Sequence, residues 1–163
     1  MMPWQALATL AFLLAAPERS VVSDRYQVRI DAPAGWTVLR QTAYPSMIAV
    51  MTHKDGGRLT LSAQRARAGD TVEAVAERNR AALERTGMQT GKVGPSSIGE
   101  GTVELTATTR DGKLQVRQLH FLHGSTEFAL TLTAPPPKMA AYAKDLDAAW
   151  RAITYLPPKS AKE

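Results

Sequence analysis

Cysteine is missing from all 163 residues. That one absence excludes disulfides, thiolate metal ligands, a nucleophilic thiol and thioether lipidation. A chain without cysteine needs no oxidative folding, so the absence is compatible with export. Aromatic residues are sparse at 6%, and the core has to be built mainly from Val, Leu, Ile, Ala and Met. Histidine occurs only at positions 53, 120 and 123. The apolar run at residues 4–16 is shorter than the ~20 residues a membrane-spanning helix requires. No repeat of fixed period is present, which sets aside solenoids and propellers.

What is present fits one globular domain, with 44% hydrophobic and 21% charged residues, a balance that disordered and fibrous chains lack. The formal net charge is +5 and the sequence pI about 9.7. Such a surface suits an anionic surface or acidic partner. Nucleic acid is not expected, because no stacking aromatics are interleaved with Arg58, Arg65 and Arg67.

Residues 1–20 open with the apolar run and close on Pro17, Glu18 and Arg19. The run has the length of a signal-peptide core, ~7–15 residues. No Lys or Arg precedes it, and cleavage after Ala16 would leave Pro17 first. The expectation is a signal peptide or uncleaved N-terminal anchor at 1–20. A single domain at 24–156 and a flexible tail at 157–163 follow, in a periplasmic or secreted protein.

Within the domain, residues 25–31 (RYQVRID) alternate as a half-buried strand. Pro33 and Gly35 turn the chain, and Trp36 follows at the start of WTVLR. A large ring placed there reads first as a plug over one end of the core. Two further strands, SMIAVMTH and RLTLSAQ, flank an Asp-Gly-Gly turn, a strong hairpin signal. Residues 70–87 read as a helix, with Asp70 or Thr71 as cap and Val72, Val75, Ala76, Ala82 and Leu83 as its apolar stripe. The charged residues around that stripe read as a solvated face with local pairs. A Gly-rich connector leads to three strands turning at Asp111-Gly112 and His123-Gly124-Ser125. A second helix carries Met139, Tyr142, Leu146, Trp150 and Ile153 at spacings of three and four. Strands, helix, strands, helix without strict alternation predict an α+β fold, an antiparallel sheet covered by two main helices.

The sequence offers little chemistry. Lys92 precedes Val93 where a phosphate loop would need Ser or Thr. GPSSIG and HGSTE lack the spacing of a nucleophile elbow, and both read as turns. His120 and His123 are three apart on one strand and point to opposite faces. An enzyme would need His53 or His120 to line a pocket with Glu100 or Glu104. No catalytic, cofactor-binding or metal-binding residues are assigned.

The segment IDAPAGW, with Pro33, Gly35 and Trp36, and the helix LDAAWRAI carry a resemblance. Over residues 24–156 the chain resembles the DcrB-like and PsbP-like group of small α+β domains. The resemblance implies an α/β/α-like sandwich and a role without catalysis. It points to envelope proteins, assembly factors of photosystem complexes, or cytoplasmic chaperones of type VI secretion effectors. That group shares no catalytic residues to carry over, and this chain has no cysteine after its apolar run, unlike lipoprotein members.

The expected function is therefore a non-enzymatic binding or assembly domain of the bacterial cell envelope, holding a protein partner or small apolar ligand. A cytoplasmic chaperone or adaptor for a secretion-system effector is the alternative. Trp36, Tyr44 and Met47, around QTAYPSMI, are the candidate contact surface, and ordinary core packing is the competing account of them.

Overall fold

The computed structural model describes residues 18–39 and 44–159. The apolar run read as a signal or anchor lies outside them, as do the last four residues of the tail. The chain opens with β1 (Ser20–Ser23), β2 (Val28–Asp31) and β3 (Trp36–Leu39), then β4 (Met47–His53) and β5 (Arg58–Arg65). Helix α1 (Val72–Arg85) follows, then two short strands, β6 (Gln89–Thr90) and β7 (Gly94–Pro95). Three long strands come next: β8 (Val103–Thr108), β9 (Gln115–His123) and β10 (Thr126–Ala134). Helix α2 (Pro136–Arg151) and β11 (Ile153–Tyr155) complete the order.

Alternation makes the large sheet. In β10, Phe128, Leu130, Leu132 and Ala134 are buried while Ala129, Thr131 and Thr133 between them are half-buried. Their cross-strand partners on the same face, Leu61 and Leu59 in β5 and Leu119 and Phe121 in β9, are buried too. The eight-stranded antiparallel sheet runs β3-β4-β5-β10-β9-β8-β6, with β7 also on β8. The hairpins at 54–57, 111–112 and 123–125 stand where the turn residues put them.

Helix α2 covers the apolar face over β10. Its Met139, Tyr142, Leu146 and Ala149 are buried. A fully buried leucine such as Leu146 contributes about 1.5–3 kcal/mol, so this stripe fixes the helix's rotation. The three-stranded sheet β1-β2-β11 shields the same core through Val28 and Ile30. On the opposite face α1 packs against β6, β8 and β9. It is capped by Thr71, whose Oγ1 accepts from the Ala74 N–H at 3.2 Å.

The fold is α+β and more sheet-dominated than the sequence pattern indicates. β1 was not expected, and it begins at Ser20. β2 is shorter than RYQVRID, because Gln27 sits at φ +50 in a turn. The Gly-rich connector supplies β6 and β7, and Ile153 belongs to β11 rather than to the second helix. Only Val75 and Ala76 of the α1 stripe are fully buried.

Candidate functional site

Trp36 is 5% exposed and behaves as a plug. Its indole meets Tyr142 edge-on at 5.3 Å and tilts against His53 at 5.4 Å, and those two rings lie 5.0 Å apart. His53 Nδ1 accepts from the Asp55 N–H at 3.2 Å and lies 3.1 Å from the Tyr142 hydroxyl. Gly57 lies under this triad: a Cβ there would stand 2.7 Å from Trp36 Cη2 and 2.8 Å from Tyr142 Cε2. Gly57→Ala is therefore expected to cost about 1–3 kcal/mol by forcing both rings to move, a loss that urea unfolding would register.

The other two residues singled out in the sequence lie elsewhere. Tyr44 is 70% exposed and Met47 is half-buried beside Ser62, on the face away from α2. Trp36 does not join them, because the register places it opposite His53, against the apolar core. Earlier in the chain, β3 ends at Leu39. Among the described residues this strand is one of the two outer edges of the large sheet, with β6 and β7 at the other, and its last residue, Leu39, is 45% exposed. An unpaired strand edge flanked by exposed apolar side chains is a template for another chain.

The histidines do not converge. His123 stacks on Tyr155 at 3.5 Å, whereas His120 is fully buried on the sheet face that carries α1. Burial pushes the His120 pKa down to about 4, so the ring is neutral near pH 7. Glu100 and Glu104 are separated: Glu100 is in a turn, and Glu104 is held by Arg117 through bonds of 2.8 and 3.1 Å. Arg29 is engaged by Asp31 at 3.0 Å, so Arg29 and Arg117 are both paired with carboxylates. No group of three or more metal-ligating side chains gathers among the described residues, and no helix there is long and apolar enough to cross a membrane.

The residue that sequence reasoning missed is Glu127. It is 4% exposed on the α1 side of the sheet, where its carboxylate accepts from Gln64 Nε2 and from Arg78 Nη2, the latter at 2.9 Å. Arg78 projects from α1 and makes two further bonds of 2.7 Å to Asp70. The guanidinium holds the Asp70 carboxyl below its usual range and is itself held more firmly protonated. Beside this network lies a cavity of about 170 Å³, whose wall includes Glu127, Gln64, Ser62, Asn79 and His120.

No protein-family model matches the sequence, and no curated protein matches it. Solved structures do. The solution structure of cyanobacterial PsbP (CyanoP) from Synechocystis sp. PCC 6803 superposes with a TM-score of 0.59 at 11% identity, covering 91% of this chain and 98% of that one. The Saccharomyces cerevisiae Ran-binding protein Mog1p gives 0.55 at 11% identity, over 84% of this chain and 94% of its own. A Bacteroides thetaiotaomicron protein gives 0.54 at 14% identity; this chain, 91% of it covered, spans about half of that protein (52%). The chain has a PsbP-like fold.

Proposed function

We propose that the chain is a non-catalytic partner-binding or assembly domain of the bacterial cell envelope, gripping a protein partner along the free edge of β3. The observation that carries this reading is that edge, outermost among the described residues, whose last residue Leu39 is exposed by 45%, with Tyr44, exposed by 70%, following it in the chain. A partner strand laid on β3 gains main-chain hydrogen bonds, while Leu39 and Tyr44 supply apolar contact area. The fold adds support, since one solved protein of this shape is by name a Ran-binding protein. The apolar segment at 4–16 motivates the envelope location.

A photoreactive phenylalanine analogue placed at position 44 in living cells is expected to give a discrete cross-linked species, and one at Lys113 none. Tyr44→Asp with Leu39→Lys should abolish a partner's co-purification while shifting stability by no more than about 0.5 kcal/mol, as for other exposed sites. Cross-linking that fails at 44, or a partner retained by the double variant, would remove the surface. The cell fraction and intact mass of a C-terminally tagged chain test the location. A shortened periplasmic chain supports the envelope, whereas a full-length soluble cytoplasmic chain favours the secretion chaperone.

A further inference from the structure

The two ends of the large sheet differ in charge. The register sets Thr52 of β4 beside Arg58 of β5, and Arg58 beside Thr133 of β10. Thr133 stands beside Val116 of β9, and Val116 beside Ala107 of β8. This row of five strands is about 19 Å wide at the usual inter-strand spacing. Just beyond it lie the turns at 54–57 and 109–114 and the start of α2. The end of α1 joins them, because Gln89, shortly after it, pairs with Thr108.

Cations dominate this end. Lys54 and Arg58 flank the first turn, Arg110 and Lys113 the second, Lys138 starts α2 and Arg85 ends α1, and all are exposed. The carboxylates among them are Asp55 and Asp111. Glu84 is occupied by Arg80 at 2.6 Å, and Lys144 and Asp145 offset one another further along α2. Among the described residues, Lys54, Arg58, Arg85 and Arg110 form no ion pair. Lys138 donates to the Asp55 main-chain carbonyl at 2.6 Å, which leaves its charge uncompensated. Lys113 reaches Asp111 only at 3.9 Å. At the opposite end the signs are mixed: Arg65 and Arg67 lie with Glu100, and Arg78 already serves Asp70 and Glu127.

Two observations favour a lipid surface over a nucleic acid or an acidic protein. Trp36 and Tyr142, the rings at this end, are buried, so bases have nothing to stack on. The chain also enters here. The Arg19 carbonyl accepts from the Ala32 N–H at 2.6 Å, and Arg19 Nη2 donates to the Ala32 carbonyl at 3.0 Å. Two residues on, Ala34 lines a cleft with Asp55 and Lys138. The apolar run at 4–16 therefore joins the described fold beside the basic end. Leu114, 39% exposed next to Lys113, adds apolar area at the second turn.

We propose that this end docks on an anionic lipid bilayer, with Lys54, Arg58, Arg110 and Lys113 over the headgroups and Leu114 among them. The proposal rests on the envelope reading for its setting and not on β3. Leu39 and Tyr44 lie toward the other end of the sheet and remain available to a partner. Each Lys or Arg held at such a surface strengthens binding about fivefold.

The test is co-sedimentation of the full chain with vesicles of phosphatidylglycerol and phosphatidylcholine in equal parts, and with phosphatidylcholine alone. Saturable binding to the mixed vesicles, weakened by salt, is the expected result. Arg58→Gln with Arg110→Gln should weaken it about 25-fold. Arg65→Gln with Arg67→Gln removes the same charge at the other end and leaves the apolar run in place. That pair should cost less than about twofold, lying beyond a Debye length from the lipid. Lys54→Gln with Lys113→Gln, at exposed turns, repeats the test without touching an arginine. Tyr44→Asp with Leu39→Lys should bind vesicles as wild type does, so failure of the β3 reading and failure of this one are told apart. Equal binding to phosphatidylcholine alone, equal loss in the two arginine pairs, or no vesicle binding overturns the proposal. A chain that binds soluble polyglutamate but not the vesicles also overturns it and reassigns this end to an acidic protein.

Discussion

Arg78→Met is expected to destabilise the domain by about 2–3 kcal/mol, one of the two largest effects anticipated. Removing one partner of a buried ion pair typically costs 3–5 kcal/mol, because the other charge stays behind without water. Glu127 is such a charge at 4% exposure. The Arg78 side chain, however, is 31% exposed, and solvent screening reduces what its loss can cost. Adding Glu127→Gln should recover much of the loss, since a neutral amide at 127 can still bond Gln64 and needs no counter-ion. Urea midpoints of wild type, both single variants and the double variant give the coupling directly. An Arg78→Met protein as stable as wild type would reduce the network to a surface feature.

The second large effect is a loss of stability in mild acid. Burial holds His120 near a pKa of about 4 in the folded protein against 6.5 ordinarily. The unfolded chain takes up this proton as pH falls through 6.5, but the folded protein takes it up only near 4. Between those values the unfolded state binds more protons, so stability falls as pH falls, by about 3 kcal/mol over the window. Asp31, Asp70 and Asp111 have lowered pKa values in the folded protein. Their contributions disappear further down, below the ordinary 3.8 of an aspartate, while that of Glu84 starts to fall near 4.5. His120→Leu removes the histidine share alone. The unfolding free energy of wild type should therefore fall relative to that of the variant across pH 7, 6, 5 and 4.5. Parallel curves would mean that His120 is not buried as a neutral ring.

Much of the scaffold was readable because it rests on two local signals. Alternation and Asp-Gly turns located the hairpins, and the repeat of Met139, Tyr142 and Leu146 located α2 and its buried face. Strands of two to four residues, such as β1, β6, β7 and β11, carry too few residues for alternation to register. They exist because a neighbour offers them hydrogen bonds, β8 for β6 and β7 and β2 for β1 and β11. Trp36 was legible as a plug, since a turn delivered it to the end of an apolar strand. Glu127 and His120 were not legible as neighbours of one cavity. A two-residue period assigns a side chain to a face, but it cannot say that a helix covers that face. Nor can it say that Arg78, 49 residues away, reaches across to pair with Glu127.

Both flanks of β2 come from opposite ends of the described chain: β1 lies on one side and β11 on the other. The small sheet that shields Val28 and Ile30 therefore remains incomplete until residue 155 is available. During synthesis at roughly 5–20 residues per second, β1 and β2 wait as an isolated pair, which is marginal in water. β11, the last of the described strands, closes the small sheet. Such an order delays closure of the small sheet until residue 155 has been made.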